Sequence, residues 1–197
     1  MTVFVKICGL RDAADVAAAV EAGANAVGFV FADSVRRVTP QQARAAALEL
    51  PKEVQRVAVM RHPSNDQCRA VLDEFEPDVV QADAEDFAGL DIPDSIGRWP
   101  VIREGSADTD LPEVFLYEGS NSGRGETVDW ASAASIAGRG CMILAGGLDP
   151  MNVATAIRTI RPWGVDVSSG VESSRGRKDH ELIKRFVRAV RAAEKEL

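Results

Sequence analysis

The chain has 197 residues, 46% of them hydrophobic, which suits one domain, residues 1–197, with ample material for a core. A formal net charge of -7 argues against a nucleic-acid or membrane-surface protein, since both need clustered Lys and Arg, but it leaves room for a local cationic pocket. Cys8, Cys68 and Cys141 show neither disulfide-framework nor metal-ligand spacing, so a reducing, cytoplasmic setting with no bound metal is expected. No basic leader runs into an apolar stretch and no segment approaches about 18 continuous apolar residues, so a soluble, untargeted chain is expected.

In chain order, short β-like runs fall at 3–7, 26–31, 57–60, 79–81, 101–103, 114–117, 142–145 and 165–167. They are nearly continuous in apolar residues, as parallel strands become when helices cover them. Thr39-Pro40-Gln41-Gln42 is a capping box with proline at the first helical position, and Pro51 should close that helix after Leu50. Ser64-Asn65-Asp66-Gln67 is a second box, and behind it Cys68, Val71, Leu72 and Phe75 share one helical face. Cys68 is therefore a core residue. Residues 84–90 allow only a short helix, and 104–113 read as a loop. Asp149-Pro150 opens a helix bearing Val153, Ala156, Ile157 and Ile160, and the last helix presents Leu182, Ile183, Phe186, Val187 and Val190.

Eight strands alternating with helices predict an α/β fold, a (β/α)8 TIM barrel, with an open doubly wound sheet as the competitor. The barrel is trimmed, with a shortened or missing helix between strands five and six. In such a barrel the positions just after each strand meet at one face and form the site. Those positions are Cys8 and Gly9, Arg36 and Arg37, Gln81 and Asp83, Tyr117 and Glu118, Gly146 and Gly147, and Asp166 running into Ser168, Ser169 and Gly170. Residue type alone leaves Cys8 as a small buried hydrophobe or a reactive thiol. The Gly- and Ser-rich loops after strands seven and eight let backbone N–H groups approach an anion, and a short helix beginning at Ser168-Ser169-Gly170 would add its positive end. The plain alternative is that these glycines only make tight turns.

Five colinear blocks, VKICGL, AVGFVFADSVRRVTP, GRGETVDW, LAGGLDPMNV and GVDVSSGVESSRGRKD, resemble the phosphoribosylanthranilate isomerase family of tryptophan biosynthesis over essentially the whole chain. The resemblance implies an Amadori rearrangement of N-(5-phosphoribosyl)anthranilate to 1-(o-carboxyphenylamino)-1-deoxyribulose 5-phosphate, without metal or cofactor. Its partner is then a small phosphosugar, and the protein a monomer or homodimer. The reaction needs an acid at the furanose ring oxygen and a base at the C2 proton. By the resemblance Cys8 is the base. Lys6, two residues away, should share its strand face, and a nearby positive charge would lower the thiol's pKa. Counting back from Asp129-Trp130 places the acid at Glu118, a glutamate where the family has aspartate. Arg36 falls at the position that holds the anthranilate carboxylate, by a planar guanidinium–carboxylate pair. Asp166 is expected near the substrate's hydroxyl or amino region. Gly146, Gly147, Ser168, Ser169 and Gly170 carry over as phosphate-binding positions. The family's Q-L-H-G is here Gln81-Ala82-Asp83-Ala84, so Asp83 either takes over a substrate contact or belongs to a rebuilt corner, where Arg103 could pair with it. Competing readings are the histidine-pathway aminoaldose isomerase, which expects an aspartate where Cys8 stands, and a catalytically silent phosphate-binding barrel.

Overall fold

The structure, a computed structural model, describes residues 2–106, 111–119 and 128–197. Among these, β1 (Phe4–Cys8), β2 (Ala26–Val30), β3 (Gln55–Val59), β4 (Val79–Asp83), β5 (Gly97–Arg103), β6 (Val114–Glu118), β7 (Cys141–Leu144) and β8 (Gly164–Val167) pair in parallel around a closed barrel. Closure between β1 and β8, with Lys6 opposite Asp166, excludes the open sheet. All eight apolar runs are strands. The fifth is longer than expected, because Pro100 lies within it and the chain reads as strand only from Val101 onward.

The helices are α1 (Ala13–Ala22), α2 (Pro40–Ala46), α3 (Asn65–Phe75), α4 (Trp130–Ala137), α5 (Val153–Ile160) and α6 (His180–Glu194). Both capping boxes form, with the Thr39 and Ser64 side chains accepting from the Gln42 and Gln67 amides and each glutamine reaching back. Helix α2 stops at Ala46, short of Pro51, and the residues between make turns. Asp149 does not cap α5 directly. Its carboxylate accepts from the Met151 and Asn152 amides in a turn, and the helix starts only at Val153. After β4 the chain makes a 3₁₀ helix, Ala84–Gly89, and the described part of the β5–β6 connection carries no helix. Residues 107–110 of that loop, and most of the GRGETVDW block, lie outside the described residues. The helix expected at Ser168 is a single 3₁₀ turn, Ser169–Val171, followed by a hairpin of β9 (Glu172–Ser174) and β10 (Arg177–Lys178).

Two packed regions follow from strand alternation. Val5 and Ile7 face outward into the layer between barrel and helices, where Ile183, Phe186, Val187 and Val190 of α6 are also buried. Cys68 is buried there, as expected. Inside the barrel, Ala26, Val57, Val79, Leu116 and Ile143 make an apolar floor, and Phe4 stacks on Trp163 at 4.6 Å and meets Trp99 edge-on at 5.7 Å. Each fully buried aliphatic or aromatic side chain contributes about 1.5–3 kcal/mol. Above this floor the inward positions turn polar, and the site begins there. No described helix is long and apolar enough to cross a membrane.

Candidate active site at the barrel mouth

Cys8 ends β1, and its direction is set by the strand's pleat: Phe4, Lys6 and Cys8 point inward, each one level nearer the mouth. Gly28 on the paired strand makes room for both polar side chains. A methyl there would stand 3.0 Å from the Cys8 Sγ and 3.2 Å from the Lys6 Cε. Gly9 turns the chain at φ +74°, a conformation glycine adopts freely, and a Cβ there would sit 2.6 Å from the Arg36 Cδ. The thiol–glycine pair thus closes a strand and lets an arginine pass over the turn.

Cys8, Arg36, Gln81, Asp83, Arg103, Glu118, Gly146, Gly147, Asp166, Ser168 and Ser169 all open into one cavity of about 290 Å³ at the strand ends. Gly170 does not line it. Its close approach to the loop after β7 leaves no space, since a Cβ would stand 1.9 Å from the Leu148 carbonyl oxygen. Gly170 therefore holds the two glycine-bearing loops together. Gly146 and Gly147 both adopt positive φ on the cavity wall. Cys141 begins β7, at the end of the barrel away from the mouth.

Lys6 is fully buried, and its Nζ donates to the Asp166 Oδ1 at 2.8 Å. Burial pulls the ammonium down, but Asp166 and the Cys8 thiol together outweigh it and hold Lys6 above its ordinary value. At Cys8 burial is the largest influence and pushes the thiol up. Lys6 and Lys178 oppose this, and Asp166 adds to it. The expected lowering by a neighbouring cation is thus present but outweighed, because the thiol has lost its water.

Arg36 sits in the loop after β2, its amide donating to the Ser34 Oγ at 3.2 Å. Its Nε and Nη2 donate to the two carboxylate oxygens of Glu172 at 2.7 and 2.9 Å. This fork orients the guanidinium and leaves Nη1 outside the pair. Glu172 also accepts from the Lys178 Nζ at 2.8 Å and from the Gly176 amide at 2.9 Å. Burial would raise its pKa, but the bonds from Arg36, Lys178 and Gly176 prevail and hold it at about 2. Lys178 goes on to donate to the Ser168 carbonyl at 2.9 Å, tying this network to the loop after β8. Neither Glu172 nor Lys178 stands out in the sequence. They lie in a polar hairpin without periodicity, and only the family block containing them was a signal.

Across the mouth, Arg103 reaches both residues at which the chain departs from the resemblance. Its Nη2 donates to the Asp83 Oδ1 at 2.5 Å and its Nη1 to the Glu118 Oε1 at 3.1 Å. His62 and Arg61 approach Asp83 from the loop after β3, at 3.5 and 3.9 Å. His62, Asp83 and Asp86 bring ligand-type atoms within 4.8 Å of one another, but two guanidinium groups beside Asp83 make the corner a salt-bridge network unfavourable to a cation. The corner is rebuilt rather than left with an isolated reversed charge. Next to it, the Gln81 Oε1 is buried with no hydrogen-bond partner among the described residues.

A larger open groove of about 1040 Å³ runs past Arg11, Asp15, Lys178 and His180, outside the barrel mouth. It gathers no thiol and none of the glycine-bearing loops, so it does not compete with the mouth as a reaction site.

Comparison with known proteins adds an independent line. Residues 5–189 match the family model described as N-(5'-phosphoribosyl)anthranilate (PRA) isomerase. An N-(5'-phosphoribosyl)anthranilate isomerase of Listeria monocytogenes serotype 4b (strain CLIP80459) is 37% identical, over 96% of this chain and 99% of the relative. One from Geobacter sp. (strain M21) is 40% identical, over 93% and 95%. Among solved structures, phosphoribosyl anthranilate isomerase from Thermotoga maritima superposes with a TM-score of 0.86 at 32% identity, covering 97% of this chain and 100% of that one. A phosphoribosyl anthranilate isomerase in complex with reduced 1-(o-carboxyphenylamino)-1-deoxyribulose 5-phosphate superposes with a TM-score of 0.80 at 32% identity, with the same coverage.

Proposed function

Because the chain belongs to the N-(5'-phosphoribosyl)anthranilate isomerase family, we propose that it converts N-(5'-phosphoribosyl)anthranilate to 1-(o-carboxyphenylamino)-1-deoxyribulose 5-phosphate, with Glu118 as acid and Cys8 as base. The observation that carries the assignment is the shared cavity. A thiol on β1, a carboxylate on β6 and both glycine-bearing loops open into one volume. Around the barrel those two strands are separated by β7 and β8, so the groups approach a bound sugar from different sides.

The chemistry proceeds in two proton transfers. Glu118 gives a proton to the ring oxygen as the C1–O bond breaks, and the nitrogen lone pair forms the C1=N bond of the opened Schiff base. The Cys8 thiolate then takes the C2 proton, and the C2–H electrons move through C2=C1 onto nitrogen to give the enolamine. Tautomerisation of its C2 hydroxyl yields the ketone. In the free protein Glu118 is paired with Arg103, so to act as the acid it must leave that partner and carry a proton. Lys6 and Lys178 are the cations that support the Cys8 thiolate. Arg36, oriented by Glu172, has its Nη1 left to meet the substrate carboxylate. Gly146, Gly147, Ser168 and Ser169 line the wall proposed for the phosphate, and Gly170 keeps their loops together. Asp166, paired with Lys6, faces the substrate from β8. We read the protein as a single-domain cytoplasmic enzyme whose partner is this phosphosugar.

The test is turnover followed by the loss of N-(5'-phosphoribosyl)anthranilate fluorescence. The wild-type protein is expected to consume it, and Cys8→Ala and Glu118→Gln each to lower kcat about a hundredfold or more. Absence of turnover overturns the assignment. Unchanged kcat in either variant removes that residue from its role.

A further inference from the structure

Asp83, Arg103 and Glu118 end three neighbouring strands, β4, β5 and β6, and their side chains form one continuous chain of ion pairs. Arg103 and Glu118 are direct register partners, so the guanidinium and the carboxylate leave the sheet side by side. Asp83 and Glu118 each meet a different amino group of the same arginine. The Asp83 side chain is only 6% exposed, against 26% for Arg103. Its Oδ1 accepts from Arg103 while its Oδ2 faces Arg61 and His62. A carboxylate so occupied has little left to offer a sugar hydroxyl.

We propose that Asp83 and Arg103 are positioning residues for Glu118, with Asp83 acting through Arg103 rather than on the substrate. The physical argument lies in the guanidinium fork. An arginine facing a single carboxylate pairs with both of its oxygens and holds them in a planar, charge-assisted clamp. With Asp83 occupying Nη2, Arg103 offers Glu118 only Nη1, a single bond that substrate binding can break. Removing Asp83 frees both amino groups for Glu118, which can then be clamped through both of its oxygens and is harder for the substrate to release. Removing Arg103 leaves the buried Asp83 without its principal cation and Glu118 without the partner that holds it at the end of β6 until substrate binds.

This inference rests on Glu118 being the acid of the proposed isomerisation, and the experiment separates the two. Steady-state turnover of N-(5'-phosphoribosyl)anthranilate is measured for wild type, Asp83→Ala, Arg103→Met and the double variant. Asp83→Ala, which leaves no acceptor for the second amino group of Arg103, is expected to lower kcat about tenfold with KM changed less than about twofold, because what is lost is release and placement of the acid and not a substrate contact. The double variant is expected to be no slower than Arg103→Met, because Asp83 has nothing to act through once the guanidinium is gone. Multiplying effects in the double variant, or an Asp83→Ala change confined to KM, overturn the inference while leaving the isomerase reading intact. A wild-type protein without turnover overturns both. Thermal melts accompany each variant. If Arg103→Met does not fold, Arg103→Gln replaces it in the cycle: its neutral amide has no charge to share between two carboxylates, and it is expected to lose the coupling to Asp83 as well.

Discussion

Replacing Glu172 with glutamine tests whether the network behind the mouth has the strength its geometry implies. The Glu172 side chain is 4% exposed and accepts four hydrogen bonds, two from Arg36 and one each from Lys178 and Gly176. Its folded pKa of about 2 lies below the ordinary 4.5. At 1.36 kcal/mol per unit, that depression is worth about 3 kcal/mol of folding stability at neutral pH. The sign follows from linkage: below pH 4.5 the unfolded chain takes up the proton first, so the stabilisation is full above that value and fades as pH falls toward 2. At pH 3 about 1.4 kcal/mol of it remains. Glutamine keeps the shape but not the charge, and leaves two buried cations facing a neutral amide. Urea unfolding of wild type and Glu172→Gln at pH 7 and pH 3 reads the difference. The gap is expected to be about 3 kcal/mol or more at pH 7 and to shrink by about 2 kcal/mol at pH 3. A gap below about 1 kcal/mol at pH 7, or one equal at the two pH values, refutes the reasoning.

Cys8 is held up by burial and pulled back by Lys6, so kcat/KM is expected to climb with pH as the thiolate forms. Lys6→Met should move that rising limb to higher pH in a pH–rate profile, and an unmoved limb would detach Lys6 from the thiol's ionisation. Gly170→Ala drives a methyl group into the Leu148 carbonyl. Denaturant unfolding should show a loss of about 2 kcal/mol or more, because one of two backbones must move. Gln81→Met exchanges a buried acceptor with no partner among the described residues for an apolar chain of similar length. It should raise the thermal midpoint, with a gain of about 1 kcal/mol, and a lower midpoint would mean that the amide is satisfied in solution.

The strands were legible because a parallel sheet covered on its outer face and packed within leaves its mark residue by residue. The runs around Ile7, Phe29 and Val80 are apolar over most of their length, and polar side chains enter the barrel only near the mouth, at Lys6 of β1, Gln81 and Asp83 of β4, Arg103 of β5, Glu118 of β6 and Asp166 of β8. The capping boxes at Thr39 and Ser64 were legible because they are local hydrogen-bond codes. The start of α5 was not. Aspartate before proline opens a turn as readily as a helix, and here Asp149 spends its carboxylate on that turn. The hairpin of β9 and β10 escaped because strands of two or three residues carry no period. Within the site, strand-end positions identified which residues meet, but not with whom they bond. That Arg36 faces Glu172 and that Lys6 faces Asp166 are contacts between segments far apart in the chain, and spacing alone does not encode them, whereas the pairing of Arg103 with Asp83 was expected from their charges and only its sharing with Glu118 was not.

The ion pair between Lys6 and Asp166 joins residues 160 positions apart, across the seam where the first strand meets the last. Synthesis runs from β1 to β8, so the lysine is made well before its carboxylate partner. Until the eighth strand docks, the lysine lacks its counterion, and the serine-bearing loop does not exist to narrow the mouth. Charge pairing and ring closure are thereby made to finish together: the strand that seals the barrel also brings the carboxylate that the buried lysine of the first strand needs.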